Sequence, residues 1–268
     1  MNLNVMVEAE IMNGYGDANA QSKVCQDIVL KAISSSSLSR NMTIKGGVVM
    51  RSKTHNIRRA TQDMDIDFIK YSISEEAIDL FISKLNCIDS ISIKRYGEIR
   101  ELKQQDYHGK RVLIEVSDKY GNKIVSKLDL GVHTHLDIDQ EEYCFDIGFD
   151  DNGASVLINS NEQMFTEKLR SLLRFGSIST RYKDIYDMYY LCGKMDLFKL
   201  GECIESFIFS DELMRENTVE DIIHRVKIVF SNKTYIQRIE HSKHRWLEDD
   251  MDVITSEIIR VLEQVNTY

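Results

Sequence analysis

Asp63-Met64-Asp65-Ile66-Asp67-Phe68 sets an acid on every second residue, and ahead of it the chain reads Lys45-Gly46-Gly47 and then Arg59-Ala60-Thr61-Gln62. Alternate residues of a strand project to one face. Asp63, Asp65 and Asp67 therefore line up, with Met64, Ile66 and Phe68 on the opposite side. Three carboxylates in a row repel one another unless positive charge sits between them. A hard divalent cation is the usual remedy, and oxygen ligands of this kind suit Mg²⁺ or Mn²⁺. Pairs of such ions recur where phosphoryl or nucleotidyl groups are moved. A solvent-facing strand with an accidental acidic face is the plainer alternative, but Asp is depleted in strands. A calcium loop is excluded, because its sixth and twelfth positions would need Gly and Glu and hold Phe68 and Ser74.

The Gly46-Gly47 pair lets backbone N–H groups come close to a phosphate, since no Cβ intervenes. The segment between the glycines and the acids holds Arg51, Lys53, His55, Arg58 and Arg59 and no acid. It places positive charge where a triphosphate or a nucleic-acid end would use it. A two-metal site wants a further acid from a neighbouring strand. Lys127-Leu128-Asp129-Leu130-Gly131 offers Asp129, alone among apolar neighbours, and such an acid is costly to bury without a partner. Glu115, in Leu113-Ile114-Glu115-Val116, is the rival. An Asp at the exposed end of a strand is the simpler account of Asp129.

The 268 residues fit one large domain or two modest ones, and 43% hydrophobic content is enough for a core. A net charge of −9 argues against nucleic-acid binding over the whole surface, not against a local basic patch. No apolar run reaches membrane-spanning length. Met1 to Glu10 has neither a basic n-region nor an apolar h-region, which predicts no secretory leader. The five cysteines, Cys25, Cys87, Cys144, Cys192 and Cys203, never form a C-x-x-C pair. They read as reduced thiols of a cytoplasmic protein. Proline is absent, so turns and helix ends must be set by Gly, Asn, Asp and Ser.

Periodicity predicts a helix over 21–35, a short element over 42–50 with the glycines in its middle, a strand over 64–71 and a helix over 75–85. Strands follow at 90–94, 112–116 and 124–132, the last two joined by a Tyr120-Gly121-Asn122 hairpin turn. After Asn161 nearly every segment has helical period: 163–174, 183–192, 200–209, 219–229 and 251–265. The expected architecture is α/β, a mixed sheet with flanking helices over 1–160. An all-helical domain over 161–268 is expected to contribute to a nucleotide cleft.

The order of Gly-Gly, R-x-T-x-D-h-D and a later h-D-h strand resembles the polymerase-beta-like nucleotidyltransferase superfamily. The helical half narrows it. Glu167-Lys168-Leu169-Arg170-Ser171-Leu172-Leu173-Arg174 and Arg181-Tyr182-Lys183-Asp184-Ile185-Tyr186-Asp187-Met188 are similar to the paired helical motifs of the AbiEii/AbiGii abortive-infection toxins. The likeness runs over roughly residues 40–195 in four ordered motifs. It implies a magnesium- or manganese-dependent enzyme that transfers a nucleotide from an NTP to an acceptor. The acceptor implied is tRNA or another RNA, and a cognate antitoxin is implied as partner. The resemblance assigns Asp63 and Asp65 to metal binding, with Asp129 as third carboxylate. It assigns Gly46, Gly47, Arg59, Thr61, Arg181 and Lys183 to the substrate, Lys168 to the nucleotide phosphates, and Asp184 to the last motif. The residue after Gly46 departs from the superfamily's usual serine, and Asp67 has no counterpart. A non-catalytic nucleotide- or RNA-binding module on the same fold and a small-molecule nucleotidyltransferase are the alternatives.

The residues of the helical motifs carry their own reading. Lys168 borders the stripe Leu169, Leu172 and Leu173, where a long side chain reaches across a cleft. Asp184 and Asp187, three apart, share a helix face. Lys168, Arg170, Arg174, Arg181 and Lys183 form a run of positive charge with no acid among them. His133, His135, Asp137 and Asp139 alternate as on one strand face, as a polar edge strand or a transition-metal site would. Residues 224–245 hold six basic residues against Glu240, a solvated helix face or a grip on an RNA backbone.

Overall fold

The computed structural model describes residues 1–102 and 109–265. The chain divides into a unit from Met1 to Asn159 and a second that begins at Ser160. The first unit runs α1 (Leu3–Met12), α2 (Asp17–Ser35), β1 (Met42–Lys45), α3 (Gly47–Thr54), β2 (Asp63–Ile69) and α4 (Glu75–Lys84). It continues with β3 (Ile91–Arg95), β4 (Arg100–Leu102), β5 (Gly109–Asp118), β6 (Lys123–His133), β7 (Glu141–Ile147) and β8 (Asp150–Ile158). Among the described residues these strands form one eight-stranded sheet in the order β3-β5-β6-β2-β1-β8-β7, with β4 paired to β5. The sheet is mixed: β2 runs antiparallel to β1 and parallel to β6.

The alternation read at 63–68 explains why β2 lies in the middle. Met64, Ile66 and Phe68 are all but fully buried. Phe68 meets Phe81 of α4 edge-on, with ring centroids 5.2 Å apart, a favoured aromatic geometry. The same parity holds on β5 and β6, where Val112, Ile114, Val116, Leu128 and Leu130 are buried. Their polar alternates face the other side of the sheet with the β2 acids. The β5–β6 turn is the expected hairpin: Ser117 pairs with Lys123, and Gly121 takes φ +86°. Asp118 closes it by accepting from the backbone N–H of Tyr120 and Asn122, and its other oxygen accepts from Leu3 at the start of α1.

The second unit is helical: α5 (Asn161–Phe175), α6 (Tyr182–Leu191), α7 (Leu197–Ile204), α8 (Val219–Phe230), α9 (Lys233–Glu240) and α10 (Met251–Leu262). A π turn, Glu205–Phe209, prolongs α7. With no proline in the chain, side-chain caps start many of the helices. Ser74, Ser160, Asp196 and Asn232 each accept from N–H groups of the first turn. Thr218 and Asp221 form a reciprocal capping box on α8.

Several elements depart from the sequence expectation, among them the short β4 and the stretch 42–50, which divides at Gly46 into strand β1 and helix α3. In α1 the apolar residues have no common face, and Val5 and Met12 are exposed, so no helical period announces it. The hairpin β7–β8 and helix α9 were not expected either. The strand expected to carry His133, His135, Asp137 and Asp139 ends at His133, and the chain then turns. The four residues therefore share no strand face, and His133 is buried with its Nε2 3.3 Å from Gln140 Nε2.

Phe68→Ala is expected to lower the unfolding free energy by about 3–5 kcal/mol, because it opens a cavity on the apolar side of the central strand. The check is the urea midpoint, which should fall with little change in slope.

Candidate active site

The acids that the sequence singled out meet through strand register. Asp65 of β2 lies beside Asp129 of β6. Asp65 also faces Lys45 of β1, and Asp129 faces Arg111 of β5. One row across four neighbouring strands therefore reads Arg111, Asp129, Asp65, Lys45. Neighbouring strands are about 4.8 Å apart, so the two carboxylates need positive charge close by.

That charge comes from the chain itself. Arg111 donates from Nε and Nη2 to the two oxygens of Asp129, both at 2.7 Å. Lys45 Nζ lies 2.6 Å from Asp67 Oδ2, with both side chains buried. Lys127 pairs with Asp63 nearer the surface. The pKa of Arg111 is raised, first by its hydrogen bonds to Asp129, against the pull of burial, and then by the fields of Asp129, Asp63 and Asp65. Asp67, which had no counterpart in the resembled pattern, is the partner of Lys45. Glu115 pairs with Lys123 and stands opposite Val125, away from the row.

The glycines close one edge. Gly46 has φ +65°, and a Cβ on it would fall 2.6 Å from Asp65 Oδ2. Gly47 opens α3, and a Cβ there would lie 2.6 Å from Thr61 Oγ1 and 2.8 Å from Thr61 Cβ. The hydroxyl of Thr61 thus stands where a side chain at 47 would begin, which is why the usual serine has no room. Arg59 is buried on a short 3₁₀ turn before Thr61.

The approach to β2 is pinned from behind. Gln26 of α2, 1% exposed, donates from Nε2 to the carbonyls of Thr61 (3.1 Å) and Asp63 (3.3 Å). Arg51 of α3 donates to Gln26 Oε1 at 2.6 Å and to Asp27 at 3.2 Å. Asp27 and Glu10 both accept from Lys23 at 2.7 Å. No sequence motif assigns a role to Gln26, Lys45 or Arg111. Lys45 was visible beside the glycines, and Arg111 only through a register that no local pattern encodes.

In the helical unit, the remaining motif residues form a second cluster. Lys168 of α5 is buried, with Nζ 3.3 Å from Asp184 Oδ1 and 3.0 Å from Asp187 Oδ2 on α6. Arg181 Nε donates to the other Asp184 oxygen at 2.5 Å. Burial pushes the Asp184 carboxyl up, but Lys168 and Arg181 outweigh it and hold its pKa at about 2. Lys168 therefore ties α5 to α6 and is not an outstretched cation. The expected positive run is largely neutralised, since Arg170 also pairs with Asp211. Lys183 is half-buried on α6.

A family model described as nucleotidyl transferase AbiEii toxin, type IV TA system, matches residues 28–254. The chain belongs to the AbiEii family. The AbiEii match takes in both units, from the middle of α2 into α10. No curated protein matches the chain. Among solved structures, it is similar to an antigenic nucleotidyltransferase-like protein from Paracoccidioides brasiliensis. That likeness has a TM-score of 0.48 and 14% identity, over 82% of this chain and 91% of the other. It is also similar to the antibiotic-resistance factor ANT(2'')-Ia, with a TM-score of 0.44 and 16% identity, over 70% of this chain and 90% of that one. The assignment to AbiEii rests on the family match, not on these two likenesses. The family is one of nucleotidyltransferase toxins, which implies a nucleotide substrate and a cognate antitoxin. No helix among the described residues is long and apolar enough to cross a membrane.

The donor set fits a hard cation in one specific way. Among the described residues, no three His, Cys, Asp or Glu side chains form a ready cage. Mg²⁺, however, is commonly held by one or two carboxylates with phosphate oxygens completing its shell. Two in-register carboxylates suit that arrangement.

Gly47→Ala is expected to disturb the AbiEii site through Thr61, and Gly47→Ala with Thr61→Gly should recover part of the loss. A thermal-melting double-mutant cycle checks the coupling, expected at about 1 kcal/mol or more. In the helical unit, the depressed pKa of Asp184 gives a signed pH effect. Its contribution is full above the ordinary value of 3.8 and is lost as pH falls toward about 2. Asp184→Asn should cost on the order of 2 kcal/mol at pH 7. The gap from wild type should close between about pH 4 and 2 in acid-denaturation curves.

Proposed function

We propose that this AbiEii-family chain transfers a nucleotide from an NTP to an acceptor hydroxyl, and that the acceptor is tRNA. The observation that carries this reading is the pairing of Asp65 with Asp129 across β2 and β6, beside a Gly46-Gly47 turn that opens α3. Backbone N–H groups at a helix N-terminus without a Cβ suit close approach by phosphates. In this reading Asp63 and Asp65 hold a divalent cation, and Asp129 completes the carboxylate set. The bound cation, Mg²⁺ or Mn²⁺, would neutralise charge developing on the triphosphate. Asp129 accepts the proton of the attacking hydroxyl, the hydroxyl oxygen bonds the α-phosphorus, and pyrophosphate leaves. Thr61 and Arg59 flank the phosphates. Lys168, Asp184, Arg181 and Lys183 serve the nucleotide as the family motifs imply; the Lys168 ion pairs support a part in ordering α5 against α6 as well. Positioning and charge compensation supply most of the rate in phosphoryl-type transfers.

Asp65→Asn keeps the size of the side chain and removes its charge. It is expected to reduce transfer at least ~10²-fold, the scale of losing one preorganised electrostatic group, without lowering the melting temperature. Incubation with each α-labelled NTP, Mg²⁺ and total RNA, resolved on a gel, measures this. Full labelling by Asp65→Asn would refute the assignment.

A further inference from the structure

Arg111 belongs to no motif of the sequence, yet it grips a carboxylate of the proposed site at both oxygens. Its Nε and Nη2 take both oxygens of Asp129, at 2.7 Å each. The two side chains differ in exposure: 7% for Asp129 and 36% for Arg111. The acid is buried in the sheet, and the guanidinium is the more exposed partner. Asp63 and Asp65 also act on Arg111 through their fields, so three acids from two strands converge on one guanidinium. A planar fork that uses both carboxylate oxygens matches Asp129 in a way a lysine ammonium would not. The same lone pairs are those a divalent cation would take.

We propose that Arg111 is a positioning residue of the nucleotidyl-transfer site: it holds Asp129 as an internal counter-cation and yields it when a divalent cation binds. This rests on the reading of Asp129 as a metal-site carboxylate. The guanidinium holds Asp129 in a fixed orientation, and it weakens cation binding by direct competition. Once off the carboxylate, it remains beside the site with five donors suited to phosphate oxygens.

The test uses the full-length protein with Mn²⁺ as probe, in wild type, Arg111→Met, Arg111→Lys and Arg111→Met/Asp129→Asn. Binding is read by calorimetry and melting temperature with and without Mn²⁺. Arg111→Met should bind Mn²⁺ on the order of tenfold more tightly than wild type, the scale of one charge-assisted pair. It should melt lower than wild type without Mn²⁺ and gain more from its addition. The double variant should lose the added affinity. If Arg111→Met does not fold, Arg111→Lys carries the comparison, since it keeps the charge and loses the fork. Equal or weaker Mn²⁺ binding by the Arg111 variants, or none by any protein, overturns the proposal. Nucleotide labelling by wild type, measured in parallel, decides the functional reading separately. A competent transferase with unaltered Mn²⁺ affinity in Arg111→Met would sink only the role of Arg111.

Discussion

Like charges on one sheet face are the problem around which the first unit is organised. Two carboxylates on neighbouring strands repel by on the order of 3 kcal/mol at an effective dielectric constant of about 20, and β2 adds two more along its length. Such a face folds only if each acid is answered. Arg111, Lys127 and Lys45 answer Asp129, Asp63 and Asp67.

The polar pairs would be of little use on a compliant strand. Behind them, Met64, Ile66 and Phe68 are locked into the apolar layer, so the parity that turns the acids to the opposite face is fixed by burial on this side. A one-residue slip would turn the aspartates into the apolar layer and the core residues out of it. The Gln26 amide adds a second restraint. It satisfies two carbonyls where the chain enters β2, and the Arg51, Asp27 and Lys23 network holds that amide in place. The site thus rests on three layers: an apolar anchor, a backbone clasp and a surface charge pattern.

Much of this was legible in the chain. Strict alternation at 63–68 gave β2 and its acidic face, the Tyr120-Gly121-Asn122 signal gave the β5–β6 hairpin, and helical period after Asn161 gave the second unit. What stayed hidden was pairing at a distance. Nothing near Arg111 or Lys45 says which acid each will meet, because register across β5, β6, β2 and β1 is set by the whole sheet. The ion pairs of Lys168 stayed hidden for a related reason. Its spacing placed it at the edge of an apolar stripe, and its partners Asp184 and Asp187 lie on a different helix. Helix α1 was silent because its apolar residues are spread around the axis.

The parallel pairing of β2 with β6 bears on biosynthesis. Asp63 and Asp65 leave the ribosome early, whereas Asp129 follows only after α4 and the strands from β3 to β5 have been made. A partly synthesised chain carries the β2 acids without Asp129 and cannot assemble the row, whatever chemistry the row supports. The row of Arg111, Asp129, Asp65 and Lys45 therefore closes only when most of the first unit has been translated.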